Sequence, residues 1–368
     1  MSKIGRRLKK GFCFSFRLVC VFYCFWIGLQ PAPRSLQISI GQSVEIGRDK
    51  DTFGSIASVC EDGAGNFYVL DRIEHRVHKF SDEGRPLIIF GQKGQGPGDF
   101  QSPGRIAFTP QGELAVLEDL YYVSFLTPEG VFIKRLDLNG RLGLGYVGPD
   151  RFHGWIWRPG DKQQVILDGR NVVARSYQTI PKQEFSVSVP EPGGRAVMFN
   201  YGPDVYASSF LFDHNGSLSA LAVSRDYHVI LLDETGREVA SIRRGLKPPK
   251  LSGKERRFFE RDIQETAKSR GWPNRVSREM IKKMPGDKNP IRDVRLSPEY
   301  VFVFRFGPDM TASNSPVPID VFTLRGEFLG SVQLPDVPLH IGRKSMYFAR
   351  SEESGLTFLE KVEYRLMN

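Results

Sequence analysis

The chain repeats itself. Residues 56–90 read IASVCEDGAGNFYVLDRIEHRVHKFSDEGRPLIIF, and residues 106–136 read IAFTPQGELAVLEDLYYVSFLTPEGVFIKRL. Both give a strand, a glycine turn, a strand ending in an acid, a short loop, a strand, a Glu-Gly turn and a last strand. The step from Ile56 to Ile106 is 50 residues, from Gly65 to Gly112 it is 47, and from Gly84 to Gly130 it is 46. Four strands at that period make one blade of a β-propeller.

The pattern recurs. Residues 205–242 are a third clear copy, and 291–306 with 318–334 are a fourth. Between the second and third, residues 144–180 hold a degenerate copy with GPDR and LDGRN as its turns. Residues 339–366 supply three strands and stop, while QISIGQSVEIG at 37–47 offers the missing outer strand. Joining the two chain ends hides sheet edges that would otherwise recruit other chains. The expected fold is therefore an all-β, six-bladed β-propeller over residues 37–366, closed by the N-terminal strand pairing with the C-terminal blade. Asn215-Gly216, Asp168-Gly169 and Glu83-Gly84 act as hairpin signals. Alternation is blurred in Phe67-Tyr68-Val69-Leu70, which suits strands covered on both faces by neighbouring blades.

The glycine-rich stretch FGQKGQGPGDFQSPGRIAF, residues 90–108, is not a phosphate cradle. Gly91, Gly94, Gly96 and Gly98 fit neither Gly-x-x-x-x-Gly-Lys-Ser/Thr nor Gly-x-Gly-x-x-Gly, and a strand follows where a helix is needed. The stretch is the crossing from the outer strand of one blade to the inner strand of the next. With the strands after it, FGQKGQGPGDFQSPGRIAFTPQGELAVLED resembles the NHL repeat. The whole-chain layout, with a late helical insert, resembles the large group of exported bacterial six-bladed β-propeller proteins. The likeness runs over about residues 37–366 and is complete in blades 1 and 2. It implies an architecture more than an activity.

The net charge of +9 is largely a targeting signal. Residues 1–32 hold Lys3, Arg6, Arg7, Lys9, Lys10 and Arg17 and no acid; without these six, 45 basic residues face 42 acidic ones, a net of +3. The apolar run Leu18–Leu29 has the length of a signal-peptide core and falls short of a full membrane span. Residues 1–32 are read as a signal peptide or an N-terminal membrane anchor, with the remainder exported: periplasmic, extracellular or anchored facing outward. Cys13, Cys20 and Cys24 lie in that segment, so Cys60 alone is left and no internal disulfide is expected. Cys60 reads as a small buried hydrophobe.

Strands in a blade alternate in direction. Second-to-third-strand loops and blade-to-blade crossovers therefore leave the same end of the disc, and the longer, more varied loops are where ligands usually bind. That end carries Asp71, Arg72, Glu74 and His75 from blade 1, Lys93 and Asp99 from the first crossover, and Glu118, Asp119, Tyr121 and Tyr122 from blade 2. Blade 4 adds Arg225, Asp226 and Tyr227. These are the candidate ligand-binding residues, a mixture of charge and aromatic surface around a channel mouth.

The largest loop on that end is an insert at about 245–290. It reads as a helix from Ser252 to about Ser269, a break at Gly271-Trp272-Pro273, and a second helix capped by Asn274 or Ser277. Phe258, Phe259 and Ile263 form an apolar stripe at helical spacing. Residues 247–293 carry 14 basic and 7 acidic side chains, which leaves the propeller body at about −4. Lys254, Arg256, Arg257, Arg261, Lys268 and Arg270 are the candidate contacts of this basic insert, suited to anionic polymers, acidic partners or lipid head groups. Nucleic acid is not expected outside the cytoplasm.

Two function classes compete. One is a non-enzymatic binding or scaffold module, monomeric, holding a protein, peptide or glycan of the cell envelope and needing no cofactor. The other is a metal-dependent hydrolase or lyase, since six-bladed propellers include calcium-dependent lactonases and a zinc-dependent lyase. The six histidines, His75, His78, His153, His214, His340 and His228, are scattered, with no His-x-His or His-Glu-x-x-His spacing. His214 is expected in a turn on the end away from the candidate face. No catalytic residue is assigned, and inner-strand acids such as Asp62 or Asp293 would carry a channel metal only under the second class.

Overall fold

The computed structural model describes residues 36–367, except for 49–52, 119–121, 139–141, 149–150, 159–160, 169–172, 182–185, 191–195, 201–204, 206, 208 and 313–314. The N-terminal segment read as a signal or anchor lies outside the described residues. No helix among the described residues is long and apolar enough to cross a membrane.

Strand β1 (Gln37–Ile46) comes first. Blade 1 follows as β2 (Ile56–Glu61), β3 (Phe67–Asp71), β4 (Arg76–Phe80) and β5 (Pro86–Phe90). Blade 2 is β6 (Pro103–Phe108), β7 (Leu114–Glu118), β8 (Tyr122–Leu126) and β9 (Phe132–Asp137). Blade 3 is β10 (Leu142–Gly148), β11 (Arg151–Arg158), β12 (Asp161–Asp168) and β13 (Val173–Pro181), and a hairpin of β14 (Ser186–Pro190) and β15 (Ala196–Asn200) succeeds it. Blade 4 is β16 (Phe210–His214), β17 (Ser219–Val223), β18 (His228–Leu232) and β19 (Glu238–Arg243). Helices α1 (Gly253–Ser269) and α2 (Asn274–Lys283) lie in the crossover to blade 5, formed by β20 (Asp293–Leu296), β21 (Tyr300–Phe304), β22 (Val317–Thr323) and β23 (Phe328–Leu334). Blade 6 is β24 (His340–Ile341), β25 (Ser345–Ser351) and β26 (Thr357–Met367).

Each blade is a four-stranded antiparallel sheet, and the sixth has the order β1-β26-β25-β24. The chain is therefore a six-bladed β-propeller. β1 runs antiparallel to β26 from Gln37 opposite Met367 to Ile46 opposite Leu359, with one bulge between Ile40 and Ser43.

One local device recurs at the hairpin turns within the blades. In blade 1 the Gly84 N–H donates to Ser81 O and the Ser81 N–H to Arg85 O, and the same pair of bonds returns at Thr127–Val131, Asp233–Arg237, Thr323–Glu327 and Glu352–Leu356. The fourth residue is glycine each time and has φ between 75° and 89°. This is the turn-plus-bulge hairpin, in which a side chain at the left-handed position would be strained. A short polar motif thus sets strand spacing before any core forms.

The core is a series of seams between adjacent blades. Cys60, Tyr68, Leu70 and Val77 of blade 1 pack on Phe100, Ile106, Leu114 and Val116 at blade 2. Ile46, Tyr347 and Leu359 of the sixth blade pack on Phe53, Phe67, Val69 and Phe80 at the first. Middle strands such as β3 and β7 are buried along their whole length, which accounts for the missing alternation. Burying one such Leu, Val or Phe side chain contributes about 1.5–3 kcal/mol, so each seam outweighs any single surface contact.

Blade 3 is as complete as the others despite its degenerate sequence. The tips of its GPDR and LDGRN turns lie outside the described residues. The hairpin β14–β15 is an element the repeat pattern did not foresee. Its Val187 joins Phe259, Ile263, Val276, Met280 and Phe306 in a separate cluster beneath the two helices.

Candidate functional site

Part of the end of the disc expected to recognise ligands is engaged in holding its own loops. Asp71 is buried, and its carboxylate accepts from the backbone N–H groups of Gly54 (2.6 Å), Ser55 (3.1 Å), Ile73 (3.0 Å) and Glu74 (3.1 Å). Glu118 is buried and accepts from Ser124 Oγ at 2.7 Å and from Gln101 N–H at 2.8 Å, with Arg135 Nη2 at 3.3 Å. Asp99 folds back on its own loop and accepts from Gly96 N–H at 3.1 Å. His75 takes φ 55° and sets Nδ1 3.1 Å from Phe100 O, tying blade 1 to the glycine-rich crossover. Tyr227 is buried and donates to Asp320 Oδ2 at 2.6 Å; burial first, then that bond, pushes its pKa up. All five hold loops in place; Asp71, Glu118 and Tyr227 are buried with their partners supplied by the fold, while Asp99 and His75 are half-buried.

Arg72, Glu74, Lys93, Arg225 and Asp226 stay exposed, and Tyr122 is half-buried where β8 begins. Asp119 and Tyr121 lie outside the described residues.

The insert is rigidly mounted. Ser252 caps α1 and forms a capping box with Glu255, as the three-residue spacing of Ser and Glu allows. Glu255 goes further. Its Oε1 meets Lys288 Nζ at 2.5 Å and accepts Met310 N–H at 3.0 Å, while Oε2 accepts Ser252 N–H at 2.9 Å. Lys288 Nζ also donates to Gly307 O at 2.8 Å and Pro308 O at 3.1 Å, and both side chains of the pair are fully buried. Burial pushes the Glu255 pKa up, but bonds from Lys288, Met310 and Ser252 overcome it and leave the group below its usual range.

The apolar stripe is Phe259, Ile263 and Ala267; Phe258 points out and is 45% exposed, a correction that follows from the 17-residue helix facing the core with a narrow strip. α2 begins at Asn274 without a side-chain cap. Of the basic candidates, Lys254 reaches Asp309 at 3.2 Å, and Arg256 donates to Met284 O and Pro285 O at 3.3 Å. Arg257, Arg261, Lys268 and Arg270 are exposed, the last 5.3 Å from the centre of the Trp272 ring.

A large cavity opens at the opposite end. Its volume is about 730 Å³, and it enters the central channel between the first turns of the blades, among them Asp62–Gly65, Asn215–Ser217 and Gly342–Arg343. Inner-strand residues line it farther in: Ile106 and Phe108 with Arg105, Phe212 with Asp213 and His214, Arg295, and Leu339 with His340 and Ile341. The volume is that of a small-molecule site. No residue of the 245–290 insert borders it.

The charges in this channel are arranged in steps. Arg295 donates from Nη1 to Asp293 Oδ1 at 2.6 Å and from Nε to Pro338 O at 3.0 Å. Asp213 accepts Leu296 N–H at 2.7 Å, and burial pushes its pKa up against the pull of Arg295. Arg105 donates to Phe212 O at 3.1 Å with its guanidinium 5.5 Å from the centre of that ring. Three histidines stand in or beside the wall: His214 and His340 are pulled down to about 4 and His153 to about 3, in each case first by burial. His214 Nδ1 lies 3.1 Å from Ser219 Oγ, and His153 Nε2 lies 2.9 Å from Gln164 Nε2. An imidazole held neutral with no carboxylate on its second nitrogen is a poor proton relay near pH 7.

Among the described residues no group of three or more His, Cys, Asp or Glu converges as metal ligands. Asp62 caps its own turn through Ala64 N–H and Asn66 N–H, both at 2.9 Å. Of the two inner-strand acids named from sequence, Asp62 lines the cavity mouth, and Asp293 reaches the channel charges through Arg295. Arg105, Asp213 and Arg295 were missed. Their signal was present: each is a charged residue inside a short inner strand, PGRIAF, FLFDH and DVRL.

No family model matches the chain, and no curated protein matches it. Among solved structures, a DUF4221-family protein from Bacteroides vulgatus is 10% identical, covering 91% of this chain and 99% of its own, with a TM-score of 0.49. A protein assigned as exported from Bacteroides fragilis is 10% identical over 92% of this chain and 97% of its own, at a TM-score of 0.47. A streptogramin B lyase is 10% identical over 91% of this chain and 99% of its own, at 0.40. These are likenesses at low identity, and no activity passes from them to this chain.

Proposed function

We propose that this chain is an exported, non-enzymatic binding propeller that holds an acidic protein, peptide or glycan of the cell envelope against its loop-rich end. The observation that carries this reading is the mounting of the insert. A buried ion pair and a private apolar cluster fix two helices to the blades, and the face left outward is cationic. A rigid cationic surface loses little entropy on binding, and its field extends about 8–10 Å at moderate salt. Export rests on the basic and apolar N-terminal sequence, which also allows a membrane tether. No metal enters the proposal.

The test uses the full chain on immobilised heparin and poly-glutamate. Retention that falls with salt, and is lost when Arg257, Arg261, Lys268 and Arg270 are changed to Glu, supports the reading. Retention unchanged by those four changes defeats it. Elemental analysis of the same protein, prepared without chelator, addresses the alternative: one equivalent of calcium or zinc would favour a channel hydrolase or lyase.

A further inference from the structure

The channel contains a cation that the fold leaves under-used. β6 shifts register against β7 between Pro103 and Arg105, a bulge of the kind that re-aims a side chain. Arg105 then reaches across the channel to blade 4 and makes one hydrogen bond, to Phe212 O at 3.1 Å. A guanidinium has five N–H groups. Arg295, its neighbour in the wall, is neutralised by Asp293 at 2.6 Å, whereas among the described residues no carboxylate lies within ion-pair distance of Arg105. Asp213 acts on it only from farther away. A half-buried charge without a partner is costly, and an incoming anion relieves that cost with charge-assisted hydrogen bonds.

The rest of the wall selects among anions. Val59, Ile106, Phe108, Phe212 and Ile341 give the cavity apolar patches among polar groups such as Ser58, Thr109 and Asn215, so a ligand that joins an aromatic or aliphatic body to a polar end matches it. Glu61, Asp62 and Asp213 line the same cavity and disfavour a second negative charge, which argues against phosphate monoesters. We propose that the open end of the channel binds a small organic monocarboxylate, with Arg105 as the anchor of its carboxylate. This site is separate from the cationic insert and stands or falls on its own.

Calorimetry on the full chain, with phenylacetate, N-acetyl-phenylalanine and glucuronate as probes, tests it. Phenylacetamide and glucose serve as uncharged counterparts. At least one acid should bind about 10- to 100-fold more tightly than its uncharged counterpart. N-acetyl-phenylalanine above glucuronate would point to peptide ends, and the reverse to sugar acids. Arg105→Gln should abolish the preference for the acid, and Asp213→Asn, which keeps an acceptor for Leu296 N–H, should tighten acid binding. Thermal unfolding of each variant separates loss of a site from loss of the fold. Equal binding of acid and uncharged forms, no acid bound at about 1 mM, or a folded Arg105→Gln chain that binds as the parent does, would overturn the proposal.

Discussion

The two ends of the propeller use polar residues in opposite ways. On the loop-rich end, Asp71 collects four backbone N–H groups and Glu118 collects a hydroxyl, an N–H and a guanidinium. On the other end, Arg105 has one hydrogen bond and His214 Nε2 has no partner among the described residues. Long loops need internal fastening, so their acids are consumed as caps. Short turns are fastened by one cap each, as by Asp62 and Asn215, and the inner strands below them present side chains to the channel.

The largest effect expected is acid sensitivity, carried by the channel histidines His153, His214 and His340 together with His78 and His228 on third strands. His78, His153, His214, His228 and His340 all have pKa values lowered first by burial. The unfolded chain takes up protons near pH 6.5 that the folded chain refuses, so stability falls as pH drops from about 6.5 toward 4. Each fully buried histidine contributes up to about 1.4 kcal/mol per pH unit in that window. Glu61 and Asp213 are raised by burial and oppose the trend, two groups against five. Denaturant melts at pH 7, 6 and 5 would show the decline, and a His153→Gln chain should decline less. A flat profile would mean that the channel histidines are solvated.

Lys288→Met comes next. It leaves the Glu255 carboxylate buried without its cation and should cost about 3–5 kcal/mol, read as a lower denaturation midpoint. Adding Glu255→Gln should recover much of that loss. Full recovery would show that the pair positions the insert more than it stabilises the fold.

Asp71→Ala should cost about 2–4 kcal/mol by stranding buried N–H groups. The exposed neighbour Arg72→Ala should stay within about 0.5 kcal/mol, as should Lys93→Ala. Should Arg72 or Lys93 instead prove essential for retention on heparin with stability unchanged, the loop-rich end would regain its place as a recognition surface beyond the insert.

Local signals in the sequence were legible. The Glu-Gly and related turns at Gly84, Gly130, Gly236, Gly326 and Gly355 announce blades because a left-handed φ demands glycine within a five-residue motif. Ser252 and Glu255 announce the start of α1 for the same kind of reason. The hairpin β14–β15 was announced by Pro192-Gly193-Gly194 between two apolar runs, a signal that the four-strand repeat pattern did not take up. Phe258 looked like core because helical spacing places it near Phe259 and cannot say how wide the buried strip is.

What the sequence determined by itself is periodic and short-range: six blades, their order, the insert and the strand supplied by residues 37–46. What only the tertiary structure decided is who meets whom across the ring. Arg105 and Phe212 are 107 residues apart, and Lys361 and Asp82 are 279 apart, yet each pair is in contact. A repeat fixes the position of a residue within its blade, where backbone geometry acts over a few residues. The partners of a channel side chain come from other blades, and closing the ring is what brings them together.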